Sequence, residues 1–242
     1  MIIQNSAVNI MFPWCENIKK KYILNEKILN KDFNEASILP IPDDAPTEIP
    51  RIIIKTKGEH SQLSIAPEAV NFQTVYTDSF IKDWKSCEAY IKARIEAVYR
   101  LTDIFTSKKY NYTGIVTNLI WDDISENGNK ILYENLLKNI PADNLDDLLV
   151  KYTYVEDNRY YVNITLQSVK IYDDSADNKA GNFADDKCKA HTIGITLDIN
   201  DRYMFNKYKE YCSTKKDFDS LLELTSKLID SKLKALVETG VY

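Results

Sequence analysis

The sequence predicts an α+β fold made of pseudo-duplicated units. Each runs strand, helix, three strands, long helix, and a mostly antiparallel sheet is covered by two long helices. Three observations carry this expectation. Apolar residues alternate with polar ones over several short runs, most cleanly Ile193, Ile195, Leu197 and Ile199 against Thr192, Gly194, Thr196 and Asp198. They recur every three or four residues over two longer runs, one ending near Phe105 and one closing the chain. The two kinds of run come twice in the same order, without visible residue identity between the copies. With 242 residues, 44% of them hydrophobic, the chain can bury a substantial core. We read it as a single domain, residues 1–242, built from two similar halves of about 1–107 and 108–242.

Taken in order, Ile3, Val8, Ile10 and Phe12 mark a first strand, followed by a helix from about Trp14 to Asn30. The passage "ILPIPDDAPTEIP" (38–50) must run extended, because proline excludes helix interiors and biases the residue before it toward β or polyproline backbone. Three strands follow, "RIIIKT", "SQLSIA" and "AVNFQTVY", the first pair turned by Lys57, Gly58 and Glu59. The first long helix spans Ser79 to about Phe105, with Phe80, Trp84, Cys87, Ile91, Ile95, Val98 and Leu101 on one face and Asp78 where an N-cap belongs. In the second half a strand over Tyr110 to Trp121 leads to a short helix over about Lys130 to Asn139. Strands follow at Leu148 to Val155, Tyr160 to Tyr172 and His191 to Ile199. Phe218, Leu222, Thr225, Ile229, Leu233 and Leu236 then share one face of the closing helix, and Gly240 stands just past its end.

Net charge −5 carries no basic excess, so broad binding to a nucleic-acid backbone is not expected. Lys19, Lys20 and Lys21 read as a solvated helix face. The opening residues have neither the basic nor the long apolar region of a signal peptide, and no apolar run reaches membrane-spanning length. A soluble cytoplasmic protein without a membrane partner is expected, with Cys15, Cys87, Cys188 and Cys212 as dispersed thiols.

The most suggestive motif is "DISENGNKILYE". Asp123, Ser125, Asn127 and Glu134 occupy ligand positions of a calcium loop, and Gly128 its turn. The flanks argue otherwise: a strand precedes it instead of a helix, Lys130 stands where an apolar residue belongs, and there is no sister loop. The preferred reading is a polar connector in which Asn127 or Asn129 caps the short helix, with no metal and no cofactor. Cys188 and His191 supply half of a zinc spacing, which Cys212 could approach. Asp122 and Asp198 could meet in a metal-dependent nuclease, although the carboxylate doublets read better as solvated loop charge. Residues 173–189, "DDSADNKAGNFADDKCK", form an acidic insertion between strands. There Asp173, Asp174, Asp177, Asp185 and Asp186 frame Phe183, an arrangement suited to a basic partner protein.

The run "IPRIIIKTKGEHSQLSIAPEAVNFQTVY", the Trp-bearing helix, "YTGIVTNLIW" and "ITLDIN" before a long terminal helix resemble the layout of a sporadically distributed family of uncharacterised bacterial proteins. That family places an L-x-I-x-P segment before the helix, a strand with Gly and Asn after it, and "LDID" before the last helix, where this chain has Asn200. The resemblance implies no particular activity. It implies an accessory role, since the family's patchy distribution is similar to that of genes in mobile or defence-associated loci. The expected function is therefore a non-catalytic interaction or regulatory accessory protein that binds another protein and is able to self-associate. The alternative is a small-molecule binder or enzyme with a pocket between sheet and long helices, lined by tyrosines of "KYTYVEDNRYYV". A divalent-metal nuclease is third.

Overall fold

Nine strands, each antiparallel to its neighbours, form one sheet: β1 (Ile2–Met11), β2 (Ser37–Ile38), β3 (Ile52–Lys55), β4 (Ser61–Ala66), β5 (Ala69–Val75), β6 (Tyr112–Trp121), β7 (Leu149–Glu156), β8 (Tyr160–Tyr172) and β9 (Cys188–Asn200). The computed structural model describes all residues except 30, 43, 78, 123–126, 138–144, 173–187 and 242. Strand order is β2-β3-β4-β5-β1-β6-β9-β8-β7. Outward from the centre, β1-β5-β4-β3 belongs to the first half of the chain and β6-β9-β8-β7 to the second. The register repeats as well. Val8 lies beside Phe72, which faces Leu63 and then Ile54; Thr117 lies beside Leu197, which faces Ile164 and then Tyr152. A pseudo-two-fold axis therefore passes between β1 and β6. The duplicated α+β order read from the sequence is kept, with β2 as an additional edge strand in the first half and a further short helix before the closing helix in the second.

Alternation decides which face is covered. Val8, Ile10, Leu63, Ile65, Phe72, Ile115, Leu119, Ile164, Ile195 and Leu197 are buried, and Ala7, Asn9, Ser64, Asn71, Val116, Asn118 and Thr196, which alternate with them, are at least partly open. On the buried face lie α1 (Ile18–Asn25), α2 (Trp84–Thr106), α3 (Gly128–Leu136), α5 (Lys215–Lys227) and α6 (Leu233–Thr239), whose apolar sides join one core with the strands. A π turn at Leu228–Lys232 joins α5 to α6, which keeps Phe218, Leu222, Ile229, Leu233 and Leu236 on the core side. The two long helices are tied by Trp84 Nε1 donating to Ser226 Oγ (2.7 Å) and Ser226 Oγ donating to Glu88 (3.0 Å). Thr214 and Asp217 form a capping box at the start of α5. Gly240 ends α6 with φ 68°, against the Asn135 carbonyl, where a Cβ would collide.

Two helix starts differ from the sequence expectation. The first helix does not begin at Trp14, because the chain is still tied to the β4–β5 turn by Phe12 N–H to Glu68 (3.0 Å) and Cys15 N–H to Pro67 (2.8 Å). It begins after Asn17, which sits at φ 56°. The second begins at Trp84 and not Ser79, capped by Asp83, whose carboxylate accepts from Lys85 N–H (3.1 Å). Phe80 has the right apolar phase but lies in a turn, its ring between Tyr76 and Tyr90, while the Ile81 carbonyl accepts from Ile3 N–H (2.7 Å). The expected cap Asp78 falls outside the described residues.

Two buried polar centres hold irregular chain in place. The Arg51 guanidinium, 1% exposed, donates to the carbonyls of Ile49 (2.7 Å) and Ala45 (2.8 Å), fixing the proline passage against β3. Asp201, fully buried, follows β9. Its carboxylate accepts from Thr113 N–H (2.7 Å), Tyr211 Oη (2.6 Å) and Ser213 Oγ (2.5 Å), joining the start of β6 to the approach of α5. Burial pushes the Asp201 carboxyl above its ordinary value, against the opposing pull of those three donors. Beside it Arg159 pairs with Asp217.

Candidate functional site: the open face of the sheet

The face of the sheet turned away from the core is lined by short polar side chains. One row across it runs Asn71, Asn9, Gly114, Asn200, Tyr161; the next but one runs Val75, Asn5, Asn118, Thr196, Thr165. The carboxamides and hydroxyls bond across strands: Asn71 Nδ2 to Asn9 Oδ1 (2.6 Å), Asn118 Nδ2 to Asn5 Oδ1 (2.8 Å), and Thr196 Oγ1 to Asn118 Oδ1 (2.7 Å). The pairs Asn9–Asn71 and Asn118–Thr196 are mates about the pseudo-dyad, so the duplication reaches the side-chain network. Gly114 is required by this closeness, since a Cβ there would stand 2.9 Å from Asn200 Cβ and 3.2 Å from the Ile199 carbonyl.

Charge is scarce on this face. The outward positions of β5, β1, β6 and β9 carry one charged side chain, Asp198, in a chain that is 28% charged. Asp198 accepts from Asn200 Nδ2 (2.9 Å) and Asn163 Nδ2 (3.2 Å). Burial raises its carboxyl above the ordinary value, while the Asn200 bond, the Lys151 charge and the Asn163 bond oppose that rise. At the end of the face nearest Gly114, a short helix, α4 (Arg202–Lys207), forms an aromatic and cationic rim. Phe205 packs on Tyr112 (5.7 Å between rings), Tyr203 on Tyr161 (5.3 Å), and Arg202 lies 5.4 Å over Tyr112.

The residues singled out from sequence fall elsewhere, apart from Asp198. Asp123 and Ser125 lie outside the described residues. Asn127 Oδ1 caps α3 by accepting from Asn129 N–H (2.8 Å), and Glu134 is exposed with Lys130 4.0 Å away. Asp122 is bound to the Met1 ammonium, with Lys82 at 3.8 Å, and these neighbours hold its carboxyl below the ordinary value. Asp198 pairs with Val116 in β6, six positions before Asp122, which puts the two carboxylates roughly 20 Å apart along the strand. The structure therefore does not unite them. Cys188 and His191, with Asn127, Asp146 and Lys170, line a cavity of about 360 Å³ beside α3. Cys212 is exposed and neighbours Ser213, which bonds Tyr110 at the far end of the sheet, so it does not complete a zinc set. Among the described residues no group of three His, Cys, Asp or Glu could hold a metal ion, and no helix is long and apolar enough to cross a membrane. Asp173, Asp174, Asp177, Phe183, Asp185 and Asp186 all lie outside the described residues.

The tyrosines of "KYTYVEDNRYYV" divide between the faces. Tyr152 and Tyr154 pack on the core and Tyr161 faces outward, and none of them lines that cavity or the groove of about 600 Å³ beside α1. Sequence reasoning missed the asparagine network, yet a signal existed. Asn is disfavoured in strands, and here it recurs at Asn5, Asn9, Asn71, Asn118, Asn163 and Asn200 within strand-like runs. No protein-family model matches the chain, and no curated protein matches it.

Proposed function

We propose that the chain is a non-catalytic, cytoplasmic interaction protein, accessory or regulatory in role, that docks another protein on the open face of its sheet. The observation that supports this best is the depletion of charge on that face. Charged residues are scarce at interface cores because a partner would have to desolvate them, whereas carboxamides and hydroxyls can exchange water for a partner's hydrogen-bonding groups. Size agrees. Eight strands spaced about 4.8 Å apart, each with some 20 Å of outward side chains, offer roughly 800 Å², the share one partner gives to a standard interface, and over that wider area Lys55 and Lys151, near its two outer edges, join Asp198 as outward charges. The expected partner surface is flat, uncharged and rich in Ser, Thr, Asn, Gln or Tyr, with an acidic or aromatic patch meeting the Arg202 and Tyr112 rim.

The test is capture from the source cells with three baits: the native chain, Ala7→Arg at the centre of the open face, and Lys92→Glu on the solvent side of α2. A partner at stoichiometric yield with native and Lys92→Glu baits, lost with Ala7→Arg, is the expected result. Equal recovery on all three, or no stoichiometric partner, would reject the open face as the docking surface.

A further inference from the structure

The two outer edges of the sheet are finished differently. On the first half β3 is covered by β2, and the proline passage fixed by Arg51 runs beyond it. On the second half β7 is the last strand, and among the described residues none pairs with its outer edge. β7 has eight residues without Pro, Gly or a register shift. Lys151 is its one exposed charge, and natural sheets seldom leave so long and regular an edge unpaired with no further guard. It also exposes two large apolar side chains, Leu149 at 54% and Val155 at 37%.

We propose that this edge pairs with β7 of a second copy, antiparallel and centred on Tyr152, so that the sheet continues from one chain into the next. The direction of the free backbone groups fixes the options. Ser168 N–H donates to the Leu148 carbonyl (2.9 Å), so even-numbered residues of β7 bond inward to β8. Leu149, Lys151, Thr153 and Val155 point their N–H and C=O groups outward. A two-fold axis perpendicular to the sheet opposes residues that share a face, which leaves few registers. Centred on Tyr152, Leu149 meets Val155 and Lys151 meets Thr153 on the open face. On the core face Val150 meets Tyr154, and Tyr152 meets its own mate. Every apolar side chain then faces an apolar one, and the outward groups of each odd pair exchange both backbone hydrogen bonds. Centring on Lys151 would oppose Lys151 to itself; centring on Thr153 would oppose Val150 to Glu156 and Leu149 to Asp157. This self-complementarity singles out a second copy over a foreign strand. The inference goes beyond the docking role, because the dimer leaves both open faces bare and aligns them in one surface.

Sedimentation velocity over a concentration series of the native chain, Thr153→Lys and Thr153→Glu tests it. Both variants give up the same bond from Thr153 Oγ1 to Asn163 (2.7 Å), so their comparison cancels that loss. The native chain is expected to dimerise. Thr153→Lys sets like charges opposite each other twice per dimer and should raise the dissociation constant roughly tenfold, and Thr153→Glu should lower it by a similar factor. A native chain that stays monomeric to about 100 μM overturns the proposal. So do variants that shift together, as they would if Thr153 faced itself, and variants that do not shift at all.

Discussion

Replacing Asp201 with Ala should cost the fold on the order of 2–4 kcal/mol at neutral pH. The substitution removes the acceptor of three donors, of which Thr113 N–H and Ser213 Oγ belong to fully buried residues. Each buried donor left without a partner costs about 1–3 kcal/mol, so two give roughly 2–6 kcal/mol. Relief from burying a carboxylate offsets part of this, as the raised Asp201 carboxyl indicates. The same raised value sets the pH dependence. A carboxyl that holds its proton more tightly in the folded state contributes stability that is fully present below its unfolded value and lost as pH rises through its folded value. The native chain has this contribution and the variant does not. The gap between them should therefore widen as pH falls from neutral toward about 4. Urea unfolding followed by tryptophan fluorescence at pH 7 and pH 4.5 measures both quantities. A loss below about 1 kcal/mol at pH 7, or a gap that narrows on acidification, would refute this account of the Asp201 centre.

Three further outcomes follow from the same contacts. Gly114→Ala should destabilise by about 1–3 kcal/mol in thermal unfolding, since the new Cβ meets Asn200 and the Ile199 carbonyl at the terminal pair of the β6–β9 ladder; an unchanged melting temperature would mean that β6 and β9 can part there at little cost. Arg51→Lys should fail to replace the guanidinium fork, and limited proteolysis should open new cuts between Asp44 and Pro50, whereas a native-like digestion pattern would show that the passage holds without it. Millimolar calcium should leave the melting temperature unchanged, because Asn127 is committed to the α3 cap and Glu134 stands beside Lys130; a rise of several degrees would restore the calcium loop.

Much of the fold was legible because its signals are periodic. Alternation at Ile193 to Ile199 and three-to-four spacing from Trp84 to Phe105 each have one physical solution, a half-covered strand and a half-covered helix. Helix starts were less legible. Phe80 continues the apolar phase of α2 although the chain turns there so that the next residue, Ile81, bonds β1, and such long-range competition leaves no local mark. The helix α4 escaped because its six residues bury none of their number; Tyr203 and Phe205 rest on other aromatic rings of the open face. The site itself was hidden for a related reason. Motif searching looks for titratable groups close in sequence, whereas this face is assembled from neutral side chains such as Asn9, Asn71, Asn118 and Thr196, spread over six-tenths or more of the chain and aligned only by strand register.

The central position of β1 and β6 also bears on synthesis. The first half can close its own ladder, with Asn9 and Asn71 only 62 residues apart, but β1 must wait for β6, since Asn5 and Asn118 are 113 apart. Once β6 has docked, its free side faces solvent until β9 is made, an interval of several seconds at ordinary rates of translation. For that time a nascent chain displays a ten-residue strand rich in β-branched and aromatic residues as an open margin. The yield of folded protein is then a race between finishing the second half and meeting another unfinished chain, and slower elongation between residues 122 and 188 should shift it toward aggregation.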